Sequence, residues 1–308
     1  MANYITLDGG TTNTRVFLVR NNEIVASEKF NIGAGKNVQD KAPFYKALKD
    51  AIIKLLEPAG LTESDIQVAI ASGMITSEYG LCEVAHLTLP ASLDDFANSK
   101  KSVVFPEISA IPFVFIPGAK VVEDSFGSCD MMRGEETEVF GLWSIYKDGA
   151  YLLPGSHSKL VTLENGCITS IKTMLTGEMI AALSSGTILK DAIDLSVEDY
   201  DKEYLLKGYE LAEGLGINVA LFKTRILKNL FGATKEQLLG YFLGVCLADE
   251  IKAVASSGTK KVIVGGKSVL KRALSDILSA KTDISVTVAT DEQVESSTCR
   301  GAITIFEA

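Results

Sequence analysis

Histidine is nearly missing from this 308-residue chain: His86 and His157 are its only two, too few for a histidine-built metal centre. A Ser–His–acid triad would have to recruit one of them, and no G-x-S-x-G elbow exists to carry its serine. The five cysteines, Cys82, Cys129, Cys167, Cys246 and Cys299, are scattered and never spaced C-x-x-C. That excludes a disulfide framework and a zinc site and leaves them as small buried residues. No run of Lys and Arg occurs, and 30 basic against 39 acidic side chains give a net charge of −9. Nucleic acid and anionic membrane surfaces are therefore not expected partners. No stretch approaches the roughly 18 apolar residues of a spanning helix. Met1-Ala2-Asn3-Tyr4 leads straight into a strand-like run without a secretory pattern, so a cytoplasmic location is expected.

What is present is an ordinary folded composition, 47% hydrophobic and 22% charged, with enough chain for two domains. Short strands are expected at 4–8, 15–20 and 23–30, then a helix at 39–57 with Phe44, Leu48, Ile52 and Leu55 on one face, stopped by Pro58 and Gly60. A strand at 66–71, a short helix at 90–98 and strands at 103–105 and 113–116 follow, and Pro112, Pro117 and Gly118 mark a boundary between domains 1–118 and 119–308. The alternation then restarts: a helix at 135–146, strands at 150–153, 160–163 and 167–173, and helices at 176–190, 197–213, 217–230 and 235–256. A strand at 262–264, a helix at 268–279, a strand at 284–288 and a helix at 292–306 close the chain. Each half opens on a strand cluster and continues as helix–strand alternation, which reads as a duplicated α/β fold with a cleft between the halves.

Asp8-Gly9-Gly10-Thr11-Thr12-Asn13-Thr14-Arg15 links two hairpin strands. Its glycines admit a ligand close to the backbone, and its N–H and hydroxyl donors suit phosphate oxygens. Asp8, ending an apolar strand, could hold hydrated Mg²⁺ beside them; read alone, the segment could equally be a Gly/Thr turn with a capping Asp. Leu153-Pro154-Gly155-Ser156-His157-Ser158-Lys159 fills the corresponding turn of the second half, and the two together suggest a nucleoside triphosphate. Gly265-Gly266-Lys267-Ser268 imitates a P-loop, but Lys261 stands where the first P-loop glycine is required; the glycine pair suits an adenosine lying on the backbone instead. Gly33-Ala34-Gly35 lacks the third glycine of a dinucleotide fingerprint, since position 38 is Val. Asp130-Met131-Met132-Arg133-Gly134-Glu135-Glu136-Thr137 opens a helix and offers carboxylates for accepting a hydroxyl proton, although acidic residues also suit a helix N-terminus. Thr176-Gly177-Glu178 carries the same two readings.

The Asp-Gly-x-Thr-Thr-Asn-x-Arg turn, the second turn and the late Gly-Gly site resemble the sugar kinase, Hsp70 and actin superfamily. That resemblance implies two RNase H-like α/β domains closing on Mg·ATP. More narrowly, Ser72-Gly73-Met74, Met132-Arg133-Gly134-Glu135-Glu136-Thr137, the Pro154–Lys159 run and Thr176-Gly177-Glu178, in that order, resemble the 2-dehydro-3-deoxygalactonokinases over essentially the whole chain. The resemblance implies transfer of the γ-phosphate of ATP to the 6-hydroxyl of 2-dehydro-3-deoxy-D-galactonate in galactonate breakdown. Asp8 would serve Mg²⁺; Gly10, Thr11, Thr12, Gly155 and Ser156 the phosphates; and Gly265 and Gly266 the adenosine. Glu135 would be the base with Asp130 in reserve, while Arg15, Arg133 and Lys159 face phosphate or the substrate carboxylate in an undivided way. Asn13, Ser72, Gly73, Met74 and His157 complete the implied sugar-acid site. The chain departs from the family pattern at Gly9, where Trp is usual, and at Leu160, where an aromatic is usual. These departures keep a second sugar acid, 2-dehydro-3-deoxy-D-gluconate, as the alternative substrate. An ATP-switched binding protein is the remote alternative, for which a 308-residue chain leaves no room for a substrate-binding tail. A homodimer is compatible with all of this and specified by none of it.

Overall fold

The computed structural model describes residues 2–34, 40–266 and 269–308, and the chain groups into two compact units. The first comprises residues 1–148, 163–171 and 292–308, the second 149–162 and 172–291. The units thus do not divide at residue 118. Gly35, Val38, Gln39, Lys267 and Ser268 lie outside the described residues.

In the first unit β1 (Asn3–Gly9) is buried along most of its length, as a central strand must be, whereas β2 (Thr14–Arg20) and β3 (Glu23–Phe30) become progressively more exposed toward the edge. β1 runs antiparallel to β2 and β2 to β3, with Asp8 opposite Arg15. α1 (Ala42–Leu56) starts later than expected, with Pro43 in its first turn, and lays Phe44, Leu48, Ile52 and Leu55 onto Ile5, Leu7, Val16 and Leu18. β4 (Val68–Gly73) pairs parallel with β1, which sets Ser72 beside Asp8 and Gly73 beside Gly9.

β5 (Leu87–Thr88) and β6 (Ala91–Ser92) are brief, and α2 (Leu93–Asn98) starts late because Ser92 and Asp95 form a capping box. β7 (Lys101–Phe105) and β8 (Ser109–Phe115) complete the sheet in the order β3-β2-β1-β4-β8-β7. Pro112, expected to mark a boundary, sits inside β8, where the β7 pairing slips its register between Val103 and Phe105 and needs no donor. β9 (Ala119–Val121) and β10 (Asp130–Met132) join β5 in a small second sheet that no alternation pattern announced. α3 (Glu135–Tyr146) then follows as expected.

The second unit repeats the plan. β11 (Gly149–Leu153), β12 (Ser158–Glu164) and β13 (Cys167–Met174) precede α4 (Thr176–Gly186), α5 (Lys202–Leu215), α6 (Ile217–Phe231), α7 (Lys235–Cys246) and α8 (Ala248–Ser256). β14 (Lys261–Val264), α9 (Val269–Lys281) and β15 (Ser285–Val288) follow. The strand order β15-β14-β11-β12-β13, with β11, β14 and β15 parallel, matches β8-β4-β1-β2-β3. The duplicated α/β architecture is therefore present in the strand order of the two six-stranded sheets.

Three expected helices differ. α4 ends at Gly186, where the Thr187 hydroxyl bonds Leu183 O at 2.6 Å and accepts from Leu189 N. α5 waits for Asp201, whose carboxylate caps Tyr204 N at 3.1 Å. The run expected as one helix at 235–256 breaks at Leu247 into α7 and α8; α7 is buried nearly all round, so no amphipathic phase exposed the break. Gly208, Gly240 and Gly244 let α5 and α7 touch backbone to backbone, a Cβ on Gly244 falling 2.0 Å from Leu205 O.

Residues 163–171 belong to the first unit, where Ile168 pairs with Ala91. α10 (Asp291–Glu307) returns there too. Tyr4 donates to Glu307 at 2.8 Å and Thr6 to Cys299 Sγ at 3.0 Å. Gly141 on α3 and Gly301 on α10 have no space for a side chain: their Cβ atoms would lie 1.9 Å from Ser297 O and 1.8 Å from Thr137 O. This glycine seam fixes α3, and with it Glu135.

Candidate active site

The first group of sequence-predicted residues gathers at the ends of β1 and β4 and the start of α3. The turn after Asp8 closes through Gly10 N to Asn13 O at 2.9 Å, while Ala34 N reaches Gly10 O at 3.1 Å and Thr14 donates to Ile32 O at 2.8 Å. Thr11 and Thr12 are left exposed at the tip, their hydroxyls free to meet a ligand, with Asn13 half-buried beneath. Gly9 packs against Ile75: a Cβ there would lie 2.6 Å from Ile75 Cβ, so the aromatic usual at this place would require the backbone to move.

Backbone meets backbone across three glycines. Gly73 adopts φ +83°, and its Cβ would fall 2.6 Å from Gly9 O; Gly134 adopts φ +116°, and its Cβ would fall 3.1 Å from Gly73 Cα. Both angles are open to glycine and strained for any other residue. Around this stack Ser72 is buried, Thr137 donates to Gly134 O at 2.6 Å, and half-buried Met74 begins a 3₁₀ turn whose carbonyl accepts from Ser77.

Arg133 is committed to this scaffold. Its Nη1 donates to Thr76 O at 2.7 Å and Thr76 Oγ1 at 2.6 Å, and its Nη2 to Val84 O and His86 Nδ1, both at 3.0 Å. Burial and the neighbouring guanidinium pull the His86 pKa down to about 4, so the ring is neutral and Nδ1 is free to accept.

The charged centre lies beside it. Glu135 is half-buried at the first position of α3 and accepts from Arg133 N at 3.1 Å. Asp8 is half-buried, with Arg15 3.9 Å away; burial raises its pKa, Arg15 opposes, and the charge of Glu135 raises it further. Glu136, fully buried, takes Gly134 N on both carboxyl oxygens at 2.8 Å. Burial first and Glu135 second push its pKa up to about 8. Two adjacent glutamates therefore differ sharply: Glu136 is mostly protonated near neutral pH, and Glu135 faces the site. Asp130 lies on a different element from the two glutamates. It sits on β10, not at a helix start, opposite Val121.

The second group lies on the β11–β12 turn. Gly155, Ser156 and His157 are exposed, whereas Ser158, Lys159 and Leu160 are buried. Leu160 is part of the second unit's hydrophobic core, so its change from the family pattern is one of packing. Gly155 N donates to Ser158 Oγ at 3.4 Å, Ser156 O accepts from Glu178 N at 3.1 Å, and His157 Nε2 meets Glu178 Oε1 at 2.9 Å. Gly177 presses against the turn, its Cβ position 2.2 Å from Gly155 O. Gly265 N bonds Leu152 O at 2.9 Å, and Gly266, at φ +71°, would place a Cβ 2.7 Å from Pro154 O. The glycine pair is thus packed directly on the turn's first residue.

Below the turn lies Glu250, which sequence reasoning missed. It is fully buried and, among the described residues, neither carboxyl oxygen has a hydrogen-bond partner. Burial raises its pKa, while the approach of the Thr176 and Ser158 hydroxyls lowers it by less. Thr76, His86 and Glu136 were missed as well. Only Glu136 had a signal, its place in the Arg-Gly-Glu-Glu-Thr run, and nothing but burial separates it from Glu135.

Described residues hold no group of three His, Cys, Asp or Glu side chains that could cage a metal. The donors that are present, the mutually repelling Asp8 and Glu135 carboxylates, suit a hard divalent cation that keeps most of its waters and leans on one or two carboxylates.

The family model for 2-keto-3-deoxy-galactonokinase matches residues 8–304. The chain is 25% identical over 256 residues to the 2-dehydro-3-deoxygalactonokinase of Escherichia coli K12, covering 82% of this chain and 80% of that one. It is 27% identical over 192 residues to a probable 2-dehydro-3-deoxygalactonokinase of Rhizobium meliloti, covering 62% of this chain but only 59% of that protein's length. A crystal structure of a provisionally assigned 2-dehydro-3-deoxygalactonokinase from Sinorhizobium meliloti shares the fold, with a TM-score of 0.79 at 22% identity over 99% of this chain and all of that one. More distantly, component A of the (R)-2-hydroxyglutaryl-CoA dehydratase of Acidaminococcus fermentans superposes with a TM-score of 0.51 at 13% identity, over 100% and 99% of the two chains. The fold is the one seen in that Sinorhizobium meliloti structure, and the chain belongs to the 2-keto-3-deoxy-galactonokinase family.

Proposed function

We propose that this protein transfers the γ-phosphate of ATP to the terminal 6-hydroxyl of 2-dehydro-3-deoxy-D-galactonate. The observation that carries the reading, beside family membership, is that the like-charged Asp8 and Glu135 carboxyls act on each other where β1 enters a turn rich in uncharged donors. Phosphoryl transfer asks the protein for little covalent chemistry and much positioning, and this arrangement offers both a base and an anchored scaffold.

Glu135 accepts the proton of the attacking hydroxyl as its oxygen bonds to the γ-phosphorus and the bond from phosphorus to the leaving ADP oxygen breaks. Thr11, Thr12 and the backbone around Gly10 donate to phosphate oxygens, as do Gly155 and Ser156 from the second unit's turn. Gly265 and Gly266 leave the backbone bare for adenosine. Asp8 would hold Mg²⁺, which when bound offsets charge on the phosphates. Arg133, already donating to three oxygens and one ring nitrogen, acts by holding the Ser72–Thr76 segment against α3. Exposed Arg15, 3.9 Å from Asp8, is then a cation for the substrate carboxylate, with Asn13 and Met74 offered to the sugar acid. Glu250 is a positioning residue: its buried carboxyl packs beside the Ser158 and Thr176 hydroxyls at the base of the phosphate turn.

The test is incubation with Mg·ATP and the sugar acid, followed by phosphorus NMR of the product. A phosphomonoester on the terminal oxygen is expected, and hydrolysis of ATP to free phosphate without it would refute the reading.

A further inference from the structure

α4 opens on Thr176-Gly177-Glu178, a run whose acidic residue has no task in the reaction proposed above. Helix starts are commonly capped by a side chain, but Leu175 at the N-cap can supply none. The first turn is bonded to the β11–β12 turn instead. Glu178 N donates to Ser156 O at 3.1 Å, and Gly177 lies so close that a Cβ on it would fall 2.2 Å from Gly155 O and 2.7 Å from Ser156 Cα. Across this backbone contact the Glu178 carboxylate meets His157 Nε2 at 2.9 Å. Two exposed side chains ordinarily gain little by pairing, since ordering both costs entropy. Here the backbones that carry them are already pinned to one another, so less ordering remains to be done.

We propose that Glu178 is a positioning residue that fixes the His157 ring as a donor to a phosphate oxygen of the nucleotide. The role rests on the reading of this turn as a phosphate cradle. A carboxylate only accepts, so Nε2 carries the proton of the pair and the second ring nitrogen is left for the ligand. In the imidazolium form both nitrogens donate, Nε2 to Glu178 and Nδ1 to a phosphate oxygen. Gly155 and Ser156 bring backbone and hydroxyl donors but no charge, so His157 is the cation of the exposed tip. This moves His157 from the sugar-acid site that the family resemblance implied to the phosphates, and it gives the Thr176-Gly177-Glu178 run its purpose.

Calorimetric titration with Mg·ATP of the unaltered protein, Glu178→Ala, His157→Gln and the double variant tests this. His157→Gln should weaken nucleotide binding about tenfold, the usual contribution of one hydrogen bond to a charged group. Glu178→Ala should weaken it about threefold, and in the His157→Gln background the same change should weaken it no further, because Glu178 acts only through the ring. Effects that multiply in the double variant, or single variants that bind as tightly as the unaltered protein, overturn the proposal. Should Glu178→Ala fail to fold, Glu178→Gln takes its place in the cycle, keeping the size of the side chain and removing its charge, with the same expected coupling and the same refutation. In the coupled assay the KM for the sugar acid should not move. A rise there with nucleotide affinity kept would return His157 to the sugar-acid site and overturn the proposal. An unaltered protein that binds no Mg·ATP would refute the phosphate reading of the turn itself, and this role with it.

Discussion

Replacing Glu136 by Gln should make the protein more stable at neutral and alkaline pH. The carboxyl is fully buried, and its pKa of about 8 stands well above the ordinary 4.5. A folded pKa raised above the unfolded one means that the folded state binds the extra proton. The stabilisation is complete below about pH 4.5 and is lost as pH rises through 8. Each pH unit in that window removes about 1.4 kcal/mol, so the carboxyl forfeits about 3 kcal/mol by pH 7 and about 5 kcal/mol by pH 9. Gln cannot ionise, and its amide oxygen still accepts from Gly134 N. Urea unfolding of both proteins from pH 4.5 to 9 should therefore give curves that diverge in favour of Glu136→Gln, while kcat stays within about tenfold because the entry to α3 is preserved. Reading the difference between the two proteins cancels every other titration. Parallel curves, or a variant that loses ground as pH rises, would refute the burial argument.

Glu135→Gln should lower kcat by about 10²- to 10⁴-fold, the usual contribution of a general base, with nucleotide affinity by calorimetry nearly unchanged. Gly73→Ala should cost at least about 2 kcal/mol in chemical denaturation, because φ +83° is strained for alanine and the new Cβ meets backbone at Gly9 O, 2.6 Å away. Glu250→Gln should raise stability at pH 8 relative to pH 5, since burial raises this carboxyl's pKa too, and should shift the KM for ATP more than kcat; equal effects at both pH values would contradict its burial as the cause.

Much of this was legible in the sequence, for reasons that can be named. Strands such as β1 and β11 are short apolar runs punctuated by Gly, Asn and Pro, and α1 shows a clean apolar stripe, so order and type survived with shifts of a few residues at the ends. Most motif residues fell at the turns and helix starts expected of them, but Ser72 and Gly73 end β4, Ser158 and Lys159 open β12, and Asp130 lies on a three-residue strand too short for any alternation to reveal. Unreadable were features made by non-local contact. The α3–α10 glycine seam joins residues more than 150 positions apart, the Arg133 bonds reach back to Thr76 and Val84, and Glu250 meets Ser158 and Thr176 only because α8 folds beneath the turn. Burial separates Glu135 from Glu136, and burial is a property of the assembled fold.

The central claim is that Glu135 and the Asp8 turn phosphorylate a specific sugar acid. Coupled ADP release with 2-dehydro-3-deoxy-D-galactonate and its gluconate epimer, measured side by side for the unaltered protein and Glu135→Gln, tests it most directly. The account predicts turnover favouring the galactonate form and its loss by at least about a hundredfold in the variant. Preference for the epimer, or equal rates in the two proteins, would contradict it.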